Sequence, residues 1–323
     1  MEIGGYIEFP HFTGPLFHDE AIALNSARNC LAYIIEAKRI KKIALPKFLC
    51  GSIQRICKEK NVEVRFYSIG IDFLPRNLQV NDDEWLYLVN YYGQIDNKKI
   101  VDIKSRNINL IVDNVEAFFQ LPIEGIDTIY TCRKYFGVPD GGFLYTDTFI
   151  EREIDEDKSA GRMSHLLGRF EDDARSFYSA YKENESMFKN LPLRSMSKIT
   201  ENIMRSYDYD RIKAVREENY TRLHERLARY NKLSLDIPEG PFMYPLFISN
   251  GDEVRKQLQK EYIYIPTLWP DVFDNCDELE LEYDMAKNIL PLACDQRYNV
   301  NTMEYIALEI EKCLDYENLA KTI

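Results

Sequence analysis

No uninterrupted apolar stretch in the 323 residues approaches the roughly 18–20 needed to span a bilayer, so a helical membrane protein is not expected. Basic residues are the minority among the charges, 41 Lys and Arg against 53 Asp and Glu, a formal charge of −12. Such a chain is repelled by phosphate backbones and anionic lipid, which argues against general nucleic-acid or membrane-surface binding. Histidine is scarce. The four present, His11, His18, His165 and His224, form no HxxxH or HxxE spacing and read as packing or surface residues. The seven cysteines, Cys30, Cys50, Cys57, Cys132, Cys276, Cys294 and Cys313, contain no CxxC pair. That argues against a structural zinc site and a thioredoxin-type dithiol, so no metal is expected. An odd, scattered set of thiols fits the reducing cytoplasm. Met1-Glu2-Ile3-Gly4-Gly5 has neither a basic n-region nor an apolar h-region, so it does not read as a signal peptide. Internal repeats and low-complexity tracts are also lacking.

What is there is an ordinary globular balance, 45% hydrophobic and 29% charged residues, in a chain long enough for one large domain and a smaller one. The first 150 residues alternate β-rich runs with helical or turn-rich segments. The clearest runs are 42–45, 62–69, 85–92, 109–113, 128–132 and 142–146. Ala27, Cys30, Leu31, Ile34 and Ile35 follow i, i+3, i+4, i+7, i+8, the apolar stripe of a helix lying on a sheet. Strands separated by helices imply a mainly parallel sheet covered on both faces, with ligands gathered at the strands' carboxyl ends. From 151 to about 230 the chain is charge-rich and poor in β-branched runs, and reads as helices, with a long one over 209–230. The final segment reads β-α-β-α over 242–248, 252–262, 263–268 and 279–289, then a loop and a helix over 301–314. A small domain is therefore expected over 231–323, after a large one over 1–230.

Three segments carry polar groups suited to chemistry. In Asn25-Ser26-Ala27-Arg28 a polar turn feeds the amphipathic helix. Asn25 or Ser26 can cap it, and the free amides of its first turn suit an anion. Asn109-Leu110-Ile111-Val112-Asp113 reads as a buried strand that delivers an acid to the sheet edge. Asp113 there serves either as a cap and salt-bridge partner or as a site carboxylate, and a buried charge needs compensation. In Thr128–Leu144 a strand ends near Lys134 and a Gly/Pro-rich turn follows. Lys134 is either solvated or, if desolvated, able to form a Schiff base.

The order and spacing of these segments resemble the fold-type I pyridoxal 5′-phosphate (PLP) aminotransferases, and among them the DegT/DnrJ/EryC1/StrS sugar aminotransferases. Asn25-Ser26-Ala27-Arg28 occupies the place of that family's Ser-Gly-Thr-type phosphate turn. Asp113 matches its strand-end acid, and Lys134 lies six residues before Gly141-Gly142 like its cofactor lysine. Val89-Asn90-Tyr91-Tyr92-Gly93 resembles its Val-His-x-x-Gly strand end. Ala286-Lys287-Asn288-Ile289-Leu290-Pro291-Leu292 resembles its Ala-x-x-x-Leu-x-Leu-Pro segment. The resemblance implies a three-layer α/β large domain of the aspartate aminotransferase type and a smaller α+β C-terminal domain. It implies that Lys134 holds PLP as a Schiff base and then moves a proton, while Asp113 keeps the pyridine nitrogen protonated. Ser26, Ala27, Arg28 and Thr131 would bind the cofactor phosphate, and Glu116 would lie near the cofactor's 3-oxygen. Arg133 would assist with phosphate or substrate charge, or serve only the surface. The implied substrates are an amino donor such as glutamate and a nucleotide-linked keto-sugar, and the implied assembly is a homodimer.

The chain also departs from the pattern. Ala27 stands for a glycine, Arg28 for a common hydroxyl residue, Glu116 for a His or Gln, and Ile129 for a serine. Cys50 falls where an aromatic often stacks on the ring, a role Phe48 or Tyr91 would have to take. Two other readings follow: a transaminase of a small keto acid or ketone, with Arg297 clamping a carboxylate, or a catalytically silent binding protein of the same fold.

Overall fold

The strand that carries Asp113 lies in the middle of the molecule, and the rest of the fold is best described outward from it. The computed structural model describes residues 3–320, with side chains through residue 314. In chain order the strands are β1 (Ile22–Leu24), β2 (Lys42–Pro46), β3 (Glu63–Tyr67), β4 (Trp85–Val89), β5 (Asn109–Asp113), β6 (Asp127–Thr131), β7 (Gly142–Tyr145), β8 (Met243–Phe247) and β9 (Ile289–Ala293). The α-helices are α1 (Ala27–Ala37), α2 (Gly51–Glu59), α3 (Asn97–Lys104), α4 (Ser164–Glu171), α5 (Tyr178–Met187), α6 (Lys198–Met204), α7 (Tyr209–Leu227), α8 (Gly251–Lys260), α9 (Val272–Asn275), α10 (Leu281–Asn288) and α11 (Val300–Ala320).

Seven strands form one sheet in the order β1-β7-β6-β5-β4-β2-β3. β3, β2, β4, β5 and β6 run parallel, while β7 and β1 pair antiparallel at the far edge. This is a mixed α/β fold with a mainly parallel sheet, as the alternation of runs predicts. The central strands are buried on both faces, which is why they read as unbroken apolar runs such as Leu110-Ile111-Val112. The expected helix is α1, whose Cys30, Leu31, Ile34 and Ile35 are all buried. The three-residue β1 is too short to announce itself in sequence.

The 151–230 stretch contains α4 to α7, with connecting turns between them. The long helix expected over 209–230 ends its α-helical part at Leu227. At the C-terminal end one expectation needs correction. Residues 263–268 form no strand: Tyr262 adopts a left-handed φ of 60° and Pro266 interrupts the alternation. The strand that pairs with β8 is instead β9, antiparallel, with Pro245 opposite Pro291. A proline has no N–H for a ladder, and in a two-stranded sheet each strand has an unpaired side where that loss is harmless. β8, β9 and residues of α7, α8 and α11 bury a second hydrophobic cluster that includes Leu223, Tyr244, Leu246, Val254, Leu290, Met303 and Ile310.

Candidate active site

At the carboxyl edge of the sheet the three segments singled out in sequence converge. Ser26, not Asn25, caps α1: its φ is −165° and its Oγ accepts the Asn29 N–H at 3.2 Å. Asn25 instead anchors the turn from below. Its amide donates to Asp157 Oδ2 at 3.2 Å and to the Pro192 carbonyl at 3.1 Å, and its Oδ1 accepts from Asn29 at 2.7 Å. Gly142, the first residue of β7, lies against this turn. A Cβ there would stand 2.7 Å from the Ala27 amide nitrogen, so only glycine lets β7 approach. Thr131 pairs with Gly142 across β6 and β7, and its Oγ1 donates to the Gly141 carbonyl at 3.3 Å. Ser26, Ala27 and Thr131 thus meet around Gly142.

Arg28 adds a cation to the same turn. Its Nη1 is buried and has no hydrogen-bond partner among the described residues. Burial holds its guanidinium below the ordinary arginine pKa, and Arg55 lowers it further. An orphaned, partly desolvated cation beside the open amides of a helix start is a donor set that fits a phosphate. Arg133 has a different environment. It is stacked over the Phe188 ring, 3.9 Å from its centroid, and paired with Glu185; burial lowers its pKa to about 10. Its guanidinium is held by a ring and a carboxylate rather than by water.

Asp113 ends β5 with only 4% of its surface exposed. Its Oδ2 accepts from the Tyr87 hydroxyl at 2.7 Å and its Oδ1 from the Val115 N–H at 3.0 Å. Burial pushes this carboxyl above the usual range, and those two donors together with the charge of Lys134 oppose the rise. Lys134 lies in the turn between β6 and β7. Its Nζ donates to Glu116 Oε1 at 2.7 Å and stands 5.0 Å from the centroid of the Phe242 ring. About a third of its side chain is exposed while Glu116 is buried, so the glutamate is the fixed member of the pair. Glu116 Oε2 accepts the N–H of Tyr92, a residue held at a left-handed φ of 53°. A non-glycine residue in that region costs on the order of 1 kcal/mol, here spent next to the lysine.

Phe48 and Tyr91, the two candidates for ring stacking, lie together in one aromatic cluster. Both are buried, the Tyr91 hydroxyl donates to the Phe48 carbonyl, and both rings pack on Trp269, at 4.3 Å and 5.5 Å between centroids. Cys50 N-caps α2 and its thiol donates to Ser52 Oγ at 3.2 Å. Arg297 is taken by Asp295, with two contacts of 2.7 Å, so no free carboxylate clamp is formed there.

Sequence reasoning missed four residues at this edge: Tyr87, Phe242, Trp269 and Arg216. Tyr87 left one signal, a hydroxyl inside the apolar run Trp85-Leu86-Tyr87-Leu88-Val89. Arg216 is 1% exposed and makes no ion pair among the described residues. It donates to the carbonyls of Tyr135, Pro241 and Phe242, joining the residue after Lys134 to the residue whose ring covers it. These contacts join positions 25 to 81 residues apart, and nothing local announces them. Among the described residues no group of three or more His, Cys, Asp or Glu converges as a metal site, and no helix is long and apolar enough to cross a membrane.

No protein-family model and no curated protein matches the chain. Solved structures do. A DegT DnrJ EryC1 StrS aminotransferase from Brucella abortus is 15% identical, superposes with a TM-score of 0.60, and the match covers 94% of this chain and 91% of that one. The sugar aminotransferase CalS13 from Micromonospora echinospora is 11% identical, with a TM-score of 0.62 over 91% and 87%. NtdA from Bacillus subtilis, solved with the bound cofactor PMP, is 12% identical, with a TM-score of 0.62 over 94% and 78%. Along nearly its whole length, the chain has the fold of the DegT/DnrJ/EryC1/StrS aminotransferases, which is fold type I.

Proposed function

We propose that this protein is a PLP-dependent aminotransferase that acts on sugars. The observation that carries the reading is the joint placement of Lys134, Asp113 and the Ser26–Arg28 turn on one sheet edge of this fold. When bound, PLP supplies an aldehyde that condenses with amines and a protonated ring that withdraws electrons from the reacting carbon. The Ser26–Arg28 amides and the Arg28 guanidinium bind the phosphate, with Thr131 beside them. Asp113 would face the pyridine nitrogen and, as a carboxylate, keep it protonated. Lys134 Nζ is the amine that would hold the cofactor at its aldehyde, and when free it would carry a proton between the donor carbon and the cofactor as general acid–base catalyst. Glu116 holds that nitrogen until an aldehyde competes for it. Fixing all these groups on rigid strand ends and one helix start lowers the entropy cost of the reaction.

The finer reading is glutamate as donor, a nucleotide-linked keto-sugar as acceptor, and a homodimer in the cytoplasm. A division into a large domain over 1–230 and a small one over 231–323 belongs to the same reading. In its favour is the separate cluster around β8 and β9; Tyr220, Leu223 and Leu227 of α7 join that cluster across the boundary, and Trp269, Val272 and Met285 pack in the first one. The test is to add PLP to purified protein, reduce with borohydride and map the adduct by mass spectrometry. A modified Lys134, absent from Lys134→Ala, and conversion of the bound cofactor by L-glutamate are expected. An unmodified Lys134, or bound cofactor indifferent to every amino donor, would overturn the proposal.

A further inference from the structure

We propose that Tyr87 is a positioning residue for Asp113: its phenol holds the carboxylate in the orientation and charge state in which it receives the cofactor's ring nitrogen. The inference rests on the function proposed above and goes beyond it, because it assigns a role to a residue of β4 that has no reacting atom. β4 and β5 run parallel with Val89 opposite Asp113 and Tyr87 opposite Ile111. Side chains two residues apart on a strand share a face, so Tyr87 lies on the side of Asp113, one pleat back. Its ring is 1% exposed, its hydroxyl donates to Asp113 Oδ2 at 2.7 Å, and its own carbonyl is pinned by the Tyr67 hydroxyl at 2.8 Å.

The acid's surroundings explain why such a donor is needed. The groups that act on Asp113 are Tyr87 in the middle of β4 and Tyr91 two residues beyond it, Val115 N–H and Glu116 just after β5, Lys134 between β6 and β7, and Cys30 on α1. Lys134 is the one cation in this set, and its Nζ is engaged by Glu116. Without Tyr87 the buried carboxylate keeps one main-chain donor and no direct cation. A phenol provides the second hydrogen bond without bringing a charge into the core. Each carboxylate oxygen accepts two hydrogen bonds, so the Tyr87 and Val115 contacts leave a lone pair for a pyridinium N–H. Donors to the ionised form hold a carboxyl down against the upward push of burial. Phenylalanine at this position would fill the same space and lose only the hydroxyl.

The test is a double-mutant cycle of Tyr87→Phe and Asp113→Asn, read first as PLP affinity by equilibrium dialysis between pH 5 and 9. Tyr87→Phe is expected to bind PLP about tenfold more weakly, the range of a hydrogen bond to a charged group, and to lose affinity at higher pH than the wild type as the pH falls. In the Asp113→Asn background the same change should add nothing. A cofactor-free readout accompanies it, denaturant stability against pH. Tyr87→Phe should lose stability relative to the wild type increasingly as the pH rises past the ordinary aspartate range, and again not in the Asn background. Identical pH profiles for Tyr87→Phe and the wild type, or an equal loss in both backgrounds, would overturn the inference while the wild type still binds PLP. A wild type that takes up no PLP at any pH would overturn the proposed function as well.

Discussion

Two sets of buried charges lie within this molecule, and they are built differently. Beneath the helix start, Asp157 is met by Arg162 at 2.8 Å and by the Asn25 amide, and Arg162 also faces Asp140 at 3.7 Å. Asp140 takes the Ser197 N–H and the hydroxyls of Ser197 and Thr200. Nearly every group there is answered from within the chain. At the sheet edge the arrangement among the described residues is open: Asp113 has two neutral donors and no contacting cation, Lys134 is partly exposed, and Arg28 Nη1 has no partner. A closed network ties the 151–200 stretch to the sheet, whereas an open one leaves valences for a ligand. The buried acid alone does not tell the two apart; its partners do.

The contrast can be broken in four ways. Lys134→Ala should abolish amino transfer and borohydride trapping, as measured by turnover with L-glutamate, while its cost in equilibrium unfolding, from unpairing buried Glu116, should be smaller than that of removing the buried Arg162. Arg162→Ala should do the reverse. Removing one member of a buried ion pair costs about 3–5 kcal/mol, so the loss should appear in urea unfolding, and PLP uptake should weaken only as the fold does. His18 sharpens the comparison from the core. It is wedged between the Tyr145 hydroxyl and the Phe118 carbonyl, and burial lowers its pKa from 6.5 to about 4. A histidine whose folded pKa is depressed contributes stability above pH 6.5 that is lost as the pH falls towards 4, up to about 3 kcal/mol. Unfolding curves of the wild type and His18→Phe should therefore converge as the pH is lowered through that window. The smallest effect belongs to Arg297→Gln. The Arg297 guanidinium is about half exposed although Asp295 is buried, so water replaces much of the pairing and the cost should be about 1 kcal/mol; because Asp295 already occupies this guanidinium, the KM for L-glutamate should not change.

How far the sequence could be read depended on the range of the forces involved. The strands from β2 to β7 and helix α1 were legible because burial of both sheet faces, or of one helical stripe, imposes a local period on the residues. Residues 263–268 misled for the same reason: Ile263 and Ile265 alternate like a strand, yet they pack on the second cluster from a loop, with the intervening Tyr264 exposed. β9 was hidden because Pro291 reads as a breaker, and only its pairing with the proline-containing β8 makes it acceptable. Of the site, the turn at Ser26–Arg28, Asp113, Thr131 and Lys134 were visible as punctuation at strand and helix ends. Glu116 was visible only as a departure from a pattern.

The amino-acid order alone determined the alternation of strands and helices, the acid that ends β5, and a lysine six residues before two glycines, since each follows from backbone propensity and burial over a few neighbouring positions. The tertiary structure alone decided that Glu116 holds Lys134, that Tyr87 supports Asp113, and that Trp269 packs against Phe48 and Tyr91. Those partners are between 18 and 221 positions apart, and hydrogen bonds and ring contacts act over a few ångströms, so they exist only once the sheet has brought its strand ends together.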